Sequence, residues 1–134
     1  MSNLILDQGA TWVRIWTYQT ALGVPIDLTG ASAAFQVRRT NTEGVVVFDL
    51  DSISKGGVVL GGALGTITVT IPDAMSSALN LAGYQSDTCS ENQGDGTTRT
   101  VTAFMCVWGI ELTISGQVIR LDEGILGITR EIVR

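Results

Sequence analysis

Alternation of apolar and polar positions dominates this chain of 134 residues, and its period is that of strands. The clearest run is Thr66-Ile67-Thr68-Val69-Thr70-Ile71, threonine on one side and aliphatic on the other, stopped by Pro72. It predicts a half-buried antiparallel strand. Thr11 to Tyr18 alternates too, with Trp12, Arg14, Trp16 and Tyr18 on one face and Thr11, Val13, Ile15 and Thr17 on the other. Trp12 and Trp16 belong in a core. Val13 and Ile15 make the second face apolar enough to meet a partner instead of water, which marks them as candidate contact residues. Arg14, between two inward tryptophans, is expected to snorkel to the rim, stack on an indole or pair with a carboxylate.

Ala33, Phe35 and Val37 recur at the same spacing. The polar stretch 39–43 then separates them from Val45 to Leu50, read as an edge strand able to add to a neighbour's sheet. Gly56-Gly57 and Gly61-Gly62 bracket Val58-Val59-Leu60. A long strand from Val101 carries Phe104, Cys106, Trp108, Ile110 and Leu112 inward. Ser115-Gly116 turns it back through 117–128 as a hairpin. The only helix signal is Asp73 to Leu79, with Asp73 as cap. Residues 85–100 are polar and read as an inserted loop. The pattern therefore predicts one domain over 1–134: all-β, an Ig-like or jelly-roll-like antiparallel β-sandwich of about eight strands with one short helix near 73–79.

Composition narrows the chemistry. There is no histidine and one lysine, so imidazole acid-base catalysis and His-ligated metal are absent. Eight Lys+Arg against 13 Asp+Glu give a net charge of -5 with no basic stripe for phosphates, so no nucleic acid is expected. No run approaches the roughly 18 apolar residues of a membrane helix, and no membrane partner is expected. Met1 to Asp7 lacks the features of a signal peptide, so no Sec export from the cytoplasm is expected.

Candidate sites are few. Cys89 and Cys106 could form a disulfide worth about 3 kcal/mol of loop closure, or be two independent thiols with Cys106 in the core. Asp49/Asp51 and Asp122/Glu123 lack the spacing of a glycosidase pair or a calcium loop and read as solvated edges, with a bulge near Glu123-Gly124. The glycine pairs precede strands, which excludes a phosphate cradle. No catalytic, cofactor or metal residues emerge. Asp87, Glu91 and Asp95 concentrate acidity in the 85–100 segment and read as solvent-facing or aimed at a basic patch.

The order Asp7-Gln8-Gly9-Ala10-Thr11-Trp12, Pro25-Ile26-Asp27-Leu28-Thr29-Gly30, Phe35-Gln36-Val37-Arg38, Gly65-Thr66-Ile67-Thr68-Val69, Ala82-Gly83-Tyr84 and Arg120-Leu121-Asp122-Glu123-Gly124 resembles small β-sandwich virion proteins of tailed bacteriophages. These are tail-tip and baseplate proteins similar to the N-terminal domain of the lactococcal-phage upper baseplate protein. The resemblance implies a non-enzymatic structural protein, localised in the virion, multimeric and bound to other virion structural proteins, with no cofactor. The 85–100 insertion departs from that pattern and would be a copy-specific contact. Two other expectations stay open. One is a capsid decoration or cement protein. The other is a carbohydrate-binding host-attachment module using Trp12, Trp16, Tyr84 and the 85–100 segment on a glycan.

Overall fold

In a computed structural model, which describes residues 3–39 and 45–130, the alternating runs form two sheets packed as a β-sandwich. The chain runs β1 (Leu4–Asp7), β2 (Trp12–Thr17), β3 (Ser32–Arg39), β4 (Val46–Asp51), β5 (Val58–Leu60), β6 (Thr66–Ile71), α1 (Asp73–Ser77), β7 (Ser86–Asn92), β8 (Thr98–Ile114) and β9 (Gln117–Thr129). The large sheet is ordered β1-β9-β8-β3-β4 with β7 also paired to β8, and the small one is β2-β6-β5. The all-β sandwich reading holds, with nine described strands where about eight were expected. Most of the connection expected at 39–43 lies outside the described residues.

The core sits between the sheets. Trp12, Phe35, Ile67, Val69, Trp108, Ile110 and Leu112 are all buried there, each on the inward parity of its strand. Trp16 joins from the half-buried rim. Four rings form a chain: Trp12–Phe35 at 5.8 Å, Trp16–Phe35 at 5.9 Å, Trp16–Trp108 at 5.4 Å and Phe35–Trp108 at 5.8 Å. Each such pair adds about 0.5–1.5 kcal/mol beyond area burial. The β8–β9 hairpin turns at Ser115 (φ 51°) and Gly116 (φ 78°), the two consecutive left-handed residues that a tight hairpin needs. A register shift opposite Ile110/Glu111 places the β9 bulge at Leu121, just before the expected Glu123-Gly124.

Four expectations are corrected. The 85–100 segment is not a loop: Ser86–Asn92 and Thr98–Phe104 pair residue for residue as an arm that extends β8 beyond the sandwich. Its threonines favour extended backbone, and its polarity only reflects one wet face. β1 pairs with β9 in parallel (Leu4↔Leu126 to Asp7↔Thr129), so the large sheet is not purely antiparallel. The helix is shorter than expected, and Pro72 stands at its N-cap without a side-chain cap bond while Asp73 lies inside the first turn. It is tied down instead by buried Ser76, whose hydroxyl accepts the Gly9 N–H at 2.9 Å.

The fourth correction concerns the cysteines, both of which are free and buried. Cys89 pairs with Val101, an odd position of β8, whereas Cys106 is even, so their side chains leave opposite faces of one sheet. Cys106 lies in the main core, where burial pushes its thiol up to about 12. Cys89 packs with Ile5 and Ala103 in a second small core under the arm. That core exists because position 127 is glycine: a Cβ there would stand 2.8 Å from the Ala103 Cβ and 2.9 Å from the Cys89 Cβ.

Gly127→Ala is therefore expected to cost about 1–3 kcal/mol through overpacking, read from urea denaturation. Thiol titration of unreduced protein should find both cysteines in denaturant and neither in the native fold.

Candidate interaction surface

The small sheet has one face on the core and one on solvent. Its outward positions are Val13, Ile15 and Thr17 of β2, Thr66, Thr68 and Thr70 of β6, and Val59 of β5, as the registers Ile15↔Thr68 and Val59↔Thr68 require. All seven are β-branched and none is charged. Val13 is 44% exposed, Ile15 63% and Val59 66%, so a row Val59–Thr68–Ile15 crosses all three strands in water. The exposure expected for Val13 and Ile15 is present. Sequence reading missed that Val59 and the threonines share their plane; the clean 66–71 alternation was the available signal, but without register it could not be placed beside β2.

The acidic residues of the arm do not act together. Asp87 is exposed and accepts the Thr88 N–H at 2.7 Å. Asp95 sits exposed at the arm's tip, where hydrogen bonds from Thr97 hold its carboxyl below the usual range. Glu91 contradicts the solvent-facing expectation: it is 6% exposed. It shares parity with Cys89, so it points into the body. There its carboxylate accepts Arg14 Nε at 3.0 Å, Arg14 Nη2 at 2.9 Å and the Ile5 N–H at 3.1 Å. This also resolves Arg14, which pairs with a carboxylate and lies 4.9 Å over the Trp12 ring. A second bidentate pair, Arg99 to Asp7 at 2.8 and 3.0 Å, clips the arm to the end of β1 and lowers the Asp7 pKa.

The other candidate carboxylate pairs make structural contacts. Asp51 Oδ1 accepts the N–H groups of Ile53, Ser54 and Lys55, closing a turn, and Lys55 Nζ reaches Asp49 at 2.6 Å. Asp122 accepts the Glu123 N–H at 2.9 Å. Among the described residues no group of three His, Cys, Asp or Glu side chains could hold a metal, and no helix is long and apolar enough to cross a membrane. A groove of about 580 Å³ on the outer face of the large sheet is lined by both signs of charge, Arg38 and Arg120 with Glu111 and Glu123. Arg120 and Glu123 pair there at 2.8 Å. Of the aromatics considered for sugar stacking, Trp12 is buried and Tyr84 lies under the Arg39 guanidinium at 4.2 Å.

Glu91→Ala would leave the Ile5 N–H and the Arg14 guanidinium without their acceptor. A loss of about 2–3 kcal/mol is expected in denaturant melts. Arg99→Ala, whose pair is 40% and 46% exposed, should cost less than about 1 kcal/mol.

No protein-family model matches the chain, and no curated protein is similar enough to count as a relative.

Proposed function

We propose that the protein is a non-enzymatic structural component of a tailed-phage virion, a tail, baseplate or fibre-adaptor protein that works through assembly contacts. The observation that carries this reading is the uncharged β-branched outer face of the small sheet with Ile15 at its centre. Such a face gains by burial against a protein neighbour and could be used repeatedly in a symmetric particle. There, individually weak interfaces are multiplied by avidity. The order of turn and strand signatures from Asp7 to Gly124 supports placing that neighbour in a virion.

Ile15→Asp should leave the isolated domain folded, with stability within about 0.5 kcal/mol because the position is in water, and should block incorporation into particles. Normal particles carrying the variant would overturn the proposal. The position of the density in an electron-microscopy map distinguishes tail from capsid.

A further inference from the structure

A strand at the edge of a sheet presents unpaired main-chain groups to any passing chain, and folds blunt such edges with charge, bulges, short strands or covering groups. Among the described residues five strands pair with one other strand only, and four of them are well guarded. On β1 the Ile5 N–H is held by Glu91, the Ile5 carbonyl by Trp12 Nε1 at 2.9 Å and Arg14 Nη2 at 3.3 Å, and the Leu4 carbonyl by the Cys89 thiol. β4 carries Asp49 and Asp51 and a register shift against β3. β5 is three residues long. On β7 Asp87 occupies the Thr88 N–H.

β2 is the least guarded: Arg14 Nη1 holds the Val13 carbonyl at 2.9 Å, and the edge groups of Ile15 and Thr17 carry no charge, bulge or proline beside them. Its six residues pair with β6 without a shift from Trp12↔Ile71 to Thr17↔Thr66, it contains no proline, and its one charged side chain is turned inward to Glu91. The direction of its main-chain groups follows from its neighbour. Thr70 donates its N–H to Gly57 on the β5 side, so Val13 opposite it directs its own groups away from β6. Ile15 and Thr17 do the same by alternation. They look onto a cleft of about 620 Å³ whose far wall is Asn3, Ser90, Asn92 and Thr98, with no charge beyond the satisfied Arg14–Glu91 pair.

We propose that this edge pairs with β2 of a second copy, antiparallel about Ile15, joining two small sheets into one of six strands. The sequence of β2 is complementary to itself in that register. Ile15 faces Ile15 and Val13 faces Thr17 on the outer side, all β-branched, and six main-chain hydrogen bonds close the seam, the two at the Val13 carbonyls on the lone pairs that Arg14 leaves open. On the inner side each Arg14 comes beside Trp16 of the other copy, a cation over an indole. A chain of net charge -5 meets itself here without opposed carboxylates, since none lies on β2. The inference stands on the edge alone and is independent of the virion reading.

The test is cross-linking of purified protein. In the bonded antiparallel pair Ile15 would stand about 5.5 Å from its copy, Cα to Cα, within disulfide range. With copper phenanthroline as oxidant, Ile15→Cys should form a covalent dimer about tenfold faster than Val59→Cys, which is equally exposed but lies on β5. The native thiols are buried and contribute to neither rate. Equal rates, or monomer alone, overturn the proposal. Ile15→Pro removes an edge N–H that the β2–β6 ladder does not use. By sedimentation the wild type should dimerise with concentration and this variant should stay monomeric; a variant that dimerises as well as the wild type also overturns it.

Discussion

A three-stranded sheet must cover the inner face of a larger one, and the rings of Trp12, Trp16, Phe35 and Trp108 make that possible. They come from β2, β3 and β8, so two strands of the large sheet are fixed against one strand of the small sheet. Aliphatic residues of β6 and β5 fill the space beside them. With β2 committed to these contacts by its even residues, its odd residues are left facing water. The exposed β-branched face is thus a geometric result of the aromatic core.

The small sheet does not reach over β1, and there the fold uses side chains where it lacks a strand. Ile5 is the clearest case: its neighbours Leu4 and Leu6 enter the main core while Ile5 points the other way, beneath the arm. Glu91 and Arg14 then fasten the arm from β7 to β2 across this strand. A half-buried ion pair of this sort contributes modestly as a net term but is costly to break from one side. It therefore fixes where the arm lies more than how stable the whole is.

Strand alternation made most of the body legible. The aromatic core, the 66–71 strand, the Ser115-Gly116 hairpin and the outward Val13 and Ile15 all follow from a period of two. What escaped depends on register, which pairing alone supplies. Cys89 and Cys106 could be partners across a loop or two separate thiols, and only the pairing Cys89↔Val101, which puts them on opposite faces, decides for the second. Glu91 looked solvated because acidic composition outweighed its parity with Cys89. The parallel β1–β9 pair leaves no local mark, since its two strands are joined only through the whole body of the domain. The virion reading rests on weak signatures in a shared order, a kind of information that packing geometry does not contain.

The β1–β9 pair also sets the order of events when the chain is made. β1 leaves the ribosome before the other described strands, but its main-chain partner ends at Thr129. Until that residue is free, Leu4, Ile5 and Leu6 have no sheet to join, and the arm has no seat at Gly127. Contacts of such long sequence separation slow folding. β1 therefore waits without its main-chain partner while the strands described between it and β9 are made, and the pair closes only once β9 is free.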